Sequence, residues 1–207
     1  MNNRRSIVYI VDDDLSVRRA LSLLLKAHGF NVQTFTRAAD FLACSRSKVS
    51  SCLILDIRLP DINGLALQKV IGEGDSIPVI FITGYGDIPM SVNAIKAGAV
   101  DFLTKPVTGK KLLNAVLLAI TKNKIQIKEQ AEISKIKRRV QTLSPRELEV
   151  FRLVAKGMLS KQIAFKRGTA LQTIKVHRSR VMQKMRAKTI TELIYFAQKA
   201  GITSPQR

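Results

Sequence analysis

Four carboxylates, one hydroxyl and one lysine in the first half of this sequence have the types and spacing for phosphoryl chemistry. Asp12, Asp13 and Asp14 follow the apolar run Ile7 to Val11, and Asp56 follows Cys52 to Leu55. Clustered carboxylates raise one another's pKa. A divalent, oxygen-ligated ion such as Mg²⁺ relieves that repulsion and suits the ligand type. It would also neutralise an incoming phosphoryl group, with Asp56 as nucleophile. Thr83 ends the run that starts at Val79, where its hydroxyl would bond a phosphoryl oxygen. Lys105 follows Val100 to Leu103, and its ammonium would pair first with Asp56 and later with phosphate. Pro106 permits a cis peptide bond that would aim the lysine inward.

Taken singly, these residues have plainer readings. An aspartate after a strand is most often a turn or cap residue, and Asp14 suits the N-cap of a helix beginning near Leu15. A lone Lys105 would be a solvated surface residue and a lone Phe102 a core residue. The conjunction carries the argument, and it requires elements that bring the residues together. Ile7–Val11, Val32–Phe35, Cys52–Leu55, Val79–Ile82 and Val100–Leu103 are short β-branched runs, read as strands. Helical stripes lie between and after them: Val17, Ala20, Leu21, Leu24 and Leu25; Val92 and Ile95; Leu112, Leu113, Val116 and Ile120. Five β/α units predict an α/β domain with a doubly wound, five-stranded parallel sheet, whose ligands sit at the carboxyl ends of the strands.

The second half has a different character. The chain carries a net charge of +20, of which +4 falls in residues 1–121 and +16 in residues 122–207. Such asymmetry points to a polyanion-binding C-terminal half, nucleic acid in preference to anionic lipid. No apolar run reaches the roughly 18 to 20 residues that span a bilayer, and Ile7 to Val11 ends in three aspartates, unlike a signal peptide. Cys44 and Cys52 form neither a disulfide framework nor a metal set. The expectation is a cytoplasmic protein without a membrane partner.

From residue 122 to 141 the sequence is lysine-rich and free of proline and glycine, and Ile133, Ile136 and Val140 keep partial helical spacing; a helical linker is expected. Ser144-Pro145-Arg146-Glu147 then forms a capping box that opens a new helix, closed at Lys156-Gly157. A second helix closes at Gly168, a third runs from about Leu171 to Met185, and Thr189-Ile190-Thr191-Glu192 reads as another capping box. Four short helices with tight glycine turns make a small all-α helix-turn-helix domain over 142–207. On the third helix Ile174, His177, Val181 and Met185 should pack inward, while Lys175, Val176, Arg178, Ser179 and Met182 point outward. A helix of this kind fits the major groove. Arg180 joins this set, and Lys161, Lys166, Arg167 and Lys188 are expected at phosphates.

Asp12-Asp13, Asp56 with Pro60 and Gly64, Thr83-Gly84 and Lys105-Pro106 together resemble the receiver domain of two-component response regulators, with its flavodoxin-like fold, over residues 1–121. The resemblance implies Asp56 as phospho-acceptor. It implies Asp13, Asp56 and the backbone carbonyl of Arg58 as magnesium ligands, with Asp12 acting through water. Thr83 and Phe102 become the switch pair. Phe102 lacks a tyrosine hydroxyl, so its two states would differ by packing alone. Leu143-Ser144-Pro145-Arg146-Glu147, Lys161-Gln162-Ile163-Ala164, Thr173-Ile174-Lys175-Val176-His177 and Lys184-Met185 resemble the LuxR/FixJ/NarL-type helix-turn-helix. With the stretch Thr83-Gly84-Tyr85-Gly86-Asp87, the whole is most similar to the FixJ subfamily. One departure stands out: where that family has apolar turn residues and a serine-like cap, this chain has Arg167, Thr169 and Ala170, leaving Thr169 as a substitute cap.

The resemblance implies a regulator and not an enzyme. A sensor histidine kinase would phosphorylate Asp56, the receiver would form a homodimer, the second domain would bind double-stranded DNA, and RNA polymerase would be a further partner. Two other readings compete. Asp12-Asp13-Asp14 nearly fits the nucleophile loop of a haloacid-dehalogenase-type phosphatase, with Asp12 as nucleophile. Charge alone would also suit an RNA-binding regulator.

Overall fold

A computed structural model describes residues 6–46, 49–72, 77–84 and 88–202; Tyr85, Gly86 and Asp87 lie outside the described residues. Two compact units divide the chain after Lys128.

In the first unit the strands are β1 (Ile7–Val11), β2 (Asn31–Phe35), β3 (Ser51–Leu55), β4 (Val79–Thr83) and β5 (Asp101–Thr104), all parallel in the order β2-β1-β3-β4-β5. This is the flavodoxin-like order, with its reversal between β1 and β3. The expected strands are present, with β5 starting at Asp101 where Val100 was expected. Both faces of β1, β3 and β4 are covered, which is why their sequences read as continuous apolar runs and do not alternate. One face packs Val8, Ile10, Cys52, Ile54, Ile80 and Ile82 against α1 (Leu15–Ala27) and the first turns of α5 (Gly109–Val140). The other packs Tyr9, Leu53, Leu55 and Phe81 against α2 (Ala38–Ala43), α3 (Gly64–Gly72) and α4 (Ile88–Lys96). Asp14 caps α1, its carboxylate accepting from the N–H groups of Ser16 and Val17. Of the five helices, α2 and α3 show no clear stripe in the sequence; α2 has only six residues, too few for a period to register.

The segment expected as a helical linker lies within α5, which ends at Val140, and Ile136 on its last turns is buried in the core of the second unit. That core gathers Phe151, Val154, Ile163, Ile174, Val181, Met185 and Leu193 from α6 (Pro145–Ala155), α7 (Ser160–Arg167), α8 (Leu171–Met185) and α9 (Ile190–Lys199). Ser144 opens α6 through a reciprocal capping box: its hydroxyl accepts from Glu147 N–H and its own N–H donates to the Glu147 carboxylate at 2.8 Å. The expected box at Thr189 is only half formed. Thr189 accepts from Glu192 N–H, but the Glu192 carboxylate takes the N–H of Lys188.

Glu147 is buried and makes two hydrogen bonds through its carboxylate. Lys184 Nζ donates to it at 2.6 Å, and this bond, with the one from Ser144 N–H, holds its pKa below the usual glutamate range. A carboxyl whose pKa falls on folding contributes stability above its unfolded pKa of about 4.3 and loses it as pH falls through the folded value. Thermal melts of the second unit should therefore drop as pH is lowered from 5 towards 3. A Glu147→Gln chain should be less stable at pH 7 and less sensitive to acid over that range.

Candidate phosphoryl-acceptor pocket and nucleic-acid interface

The carboxyl ends of β1, β3, β4 and β5 deliver the residues singled out by their spacing. Asp12, directly after β1, is 2% exposed and Asp56, directly after β3, is 6% exposed, whereas Asp13 faces solvent. Ligand oxygens of the three carboxylates lie within 4.8 Å of one another. Lys105 reaches back over the sheet end, its Nζ 2.7 Å from Asp12 Oδ2 and 2.6 Å from Asp56 Oδ2. The Lys105–Pro106 peptide is cis, and Lys105 N–H donates to the Thr83 carbonyl at 2.8 Å, tying the loop after β5 to the end of β4.

Electrostatics explain why these groups tolerate burial together. Burial pushes the Asp12 carboxyl above the ordinary aspartate range, although Lys105 and the Asp14 N–H work against that rise. For Lys105, burial disfavours the charge, but the hydrogen bonds to Asp12 and Asp56 outweigh it and raise its pKa. The ammonium therefore stays protonated at neutral pH and offsets the repulsion between the carboxylates. The set of clustered carboxylate oxygens, one of them open to solvent, is the ligand chemistry that Mg²⁺ takes.

Thr83 is buried at the end of β4. Phe102 is half-buried on β5, its ring 6.4 Å from that of Phe81, and the β4–β5 register places Phe102 and Thr83 on the same face of the sheet. Arg58 contributes its backbone N–H to Asp56 Oδ1 at 3.2 Å. One support escaped the sequence reading, and Gly64, which that reading singled out, has a role its spacing did not disclose. Arg18 donates to the Asp12 carbonyl. Gly64 lies so close to the acceptor loop that a Cβ there would sit 2.5 Å from the Asp56 carbonyl oxygen. Since backbone, not a flexible side chain, stands in the way, Gly64→Ala should displace the loop after β3. The expected cost is about 1–3 kcal/mol together with slower phosphoryl uptake, measured by urea titration and by mass after treatment with a phosphodonor.

In the second unit, α8 exposes Lys175, Val176, Ser179 and Arg180 on one side and buries Ile174, Val181 and Met185 on the other. His177 is half-buried, with Nδ1 enclosed and lacking a hydrogen-bond partner. Four expectations need correction. Met182 is half-buried against the core and does not point outward. Arg178 is half-buried and donates to Ser160 Oγ on α7 at 3.0 Å. Arg167 pairs with Glu149 of α6 at 2.8 Å, so the charged residue in the turn is held within the domain. Lys161, Lys166 and Lys188 are exposed. Thr169 does not cap α8: Ala170 occupies the N-cap position and supplies no side-chain bond, while Gly168 takes the left-handed turn at φ 57°. A missing cap of this kind costs about 0.5–2 kcal/mol.

Known proteins share both halves. Residues 8–117 match the response regulator receiver domain, and residues 141–197 match the bacterial regulatory proteins of the luxR family. Nodulation protein W of Bradyrhizobium diazoefficiens is 43% identical over 201 residues, covering 97% of this chain and 88% of the relative. The transcriptional regulatory protein FixJ of Azorhizobium caulinodans is 36% identical over 196 residues, covering 94% and 93%. The solved structure of the response regulator StyR superposes with a TM-score of 0.81 at 39% identity, covering 94% of this chain and 99% of that one. These relatives support neither a phosphatase nor an RNA-binding regulator. The chain belongs to the transcriptional response regulators that join a receiver domain to a LuxR-family DNA-binding domain.

Proposed function

We propose that residues 1–121 act as a receiver in which a sensor histidine kinase phosphorylates Asp56, and that residues 142–207, joined through the helical segment 122–141, bind duplex DNA in response. The observation that carries this reading is the Lys105 ammonium bridging Asp12 and Asp56 beside Asp13. Asp12, Asp13, Asp56 and the Arg58 carbonyl would hold Mg²⁺, whose chemistry is to neutralise charge on a phosphoryl group. Asp56 attacks the phosphorus of the kinase's phosphohistidine, and the O–P bond forms as the P–N bond breaks and the imidazole leaves. Lys105 exchanges a carboxylate oxygen for a phosphoryl oxygen. Thr83 then bonds the phosphoryl group and Phe102 turns inward. This biases two pre-existing states.

The active state dimerises and sets two copies of α8 in major grooves about 34 Å apart. Lys175, Val176, Ser179 and Arg180 face the DNA there, Lys161 meets phosphate, and Arg178 contributes while braced by Ser160. The protein works in the cytoplasm and acts on transcription through RNA polymerase.

Acetyl phosphate supplies the test. The chain should gain one phosphoryl group by intact mass with Mg²⁺ and none with EDTA, and the modified form should elute as a dimer. Uptake independent of metal, or an unchanged oligomeric state, would sink the reading. For the output half, a duplex enriched from a random pool by the wild-type chain serves as probe. Lys175→Ala should weaken its binding about threefold to tenfold, and wild-type affinity should fall steeply with salt. Salt-independent binding would refute the role of charge.

A further inference from the structure

We propose that Arg139, at the end of α5 and just outside the matched DNA-binding domain, is a positioning residue that sets the pose of α8 and thereby its sequence preference. The inference rests on α8 being the DNA-reading helix.

A helix leaves its last four carbonyls without partners inside the helix. At the end of α8 the Gln183 carbonyl accepts from Arg186 N–H and the Met182 carbonyl from Ala187 N–H, each at 3.0 Å. The chain turns there through Arg186, which holds the left-handed conformation at φ 53°. The Met185 carbonyl lies beyond the reach of that turn, and Arg139 Nη1 donates to it at 3.1 Å. A cation suits this end, where the helix dipole is negative.

The guanidinium is itself held in place. It lies over the Phe196 ring of α9, 5.9 Å from the centroid. Ile136, one turn earlier on α5, is 2% exposed in the same core. Tyr195 of α9 donates to Glu132 two turns back at 3.2 Å. A second tie runs the other way, from Lys184 Nζ to the Thr142 carbonyl at 3.1 Å. The end of α8 is thus fastened by the Arg139 side chain from α5 and by its own Lys184 to the Thr142 carbonyl, whereas its start has no side-chain cap. Ile174 in the core and the Arg178–Ser160 bond hold the rest of α8, so loss of the end anchor shifts the helix by a small amount and does not release it. Displacing it moves Lys175, Val176 and Ser179, which lie two to three turns away.

Base contacts demand hydrogen-bond geometry, whereas phosphate contacts tolerate small displacements. Losing the anchor should therefore cost specific binding more than non-specific binding. In the full chain, Arg139→Met keeps the stem over Phe196 and removes the donor and the charge, and Arg139→Lys restores both. Binding is measured to the enriched duplex and to a scrambled duplex of equal length across a salt series. Arg139→Met should lower the specific-to-scrambled affinity ratio about fivefold to tenfold and leave the salt slope unchanged. Arg139→Lys should recover most of that ratio.

A slope reduced by about one would make Arg139 a phosphate contact and overturn the proposal. Equal losses on both duplexes, no loss on either, or an Arg139→Met chain unfolded at the assay temperature would also overturn it. Failure of the wild-type chain to enrich any duplex would instead refute the DNA-reading role of α8, and the inference with it.

Discussion

An Asp56→Asn chain takes up no phosphoryl group from acetyl phosphate under conditions in which the wild-type chain takes up one. The asparagine amide has nearly the shape of the carboxylate, so it still fits the pocket end of β3, but its oxygen is too weak a nucleophile to attack phosphorus. Lys105 keeps a partner after the change, because Asp12 Oδ2 lies 2.7 Å from its Nζ. The variant should therefore fold normally, and its failure to react will be chemical. Intact mass with circular dichroism checks both halves of the expectation. The same chain should keep its oligomeric state unchanged when treated with phosphodonor. A modified Asp56→Asn chain, with the phosphoryl group mapped to Asp12 or Asp13, would move the acceptor elsewhere and sink the assignment.

Lys105→Ala should have the next largest effect, and its size depends on metal. Without the ammonium, the buried Asp12 and Asp56 carboxylates face each other and Asp13 uncompensated. Removing one partner of a buried ion pair costs about 3–5 kcal/mol. The Lys105 side chain is 21% exposed, and solvent screening brings the cost just below that range, to about 2–3 kcal/mol, a drop of roughly 10 °C in melting temperature for a unit of this size. A divalent ion bound to the carboxylates takes over the missing positive charge. In EDTA the variant should melt well below wild type, and added Mg²⁺ should raise its melting temperature by more than it raises that of wild type. Equal melting in EDTA, or a smaller gain with Mg²⁺, would show that Lys105 does not neutralise the pocket.

Much of the receiver pocket could be read from the chain because its parts are local. Asp12, Asp56, Thr83 and Lys105 each end or follow a short apolar run, and a doubly wound parallel sheet places such ends side by side. The close approach of Gly64 to the Asp56 carbonyl was not legible in the same way. A glycine advertises freedom, but only coordinates reveal which backbone atom a Cβ would strike. The helical halves behave similarly. Apolar spacing identified α1, α5 and α8, while the six-residue α2 offered no period to detect. Spacing also sent Met182 outward, because a period describes one stripe, and Met182 adjoins a core that wraps past its edge.

By itself, the sequence determined the order of strands and helices, the charge imbalance between the halves and the set of strand-end residues suited to phosphoryl transfer. All three depend on residue type and short-range spacing. Only the tertiary structure decided which charges are committed inside the protein. Arg178 goes to Ser160, Arg167 to Glu149, Lys184 to Glu147 and Arg139 to the Met185 carbonyl. The reason is physical: a long cation reaches whichever acceptor folding brings near, and for these four that acceptor lies 18, 18, 37 and 46 residues away in the chain. Periodicity over one or two turns carries no record of such a partner.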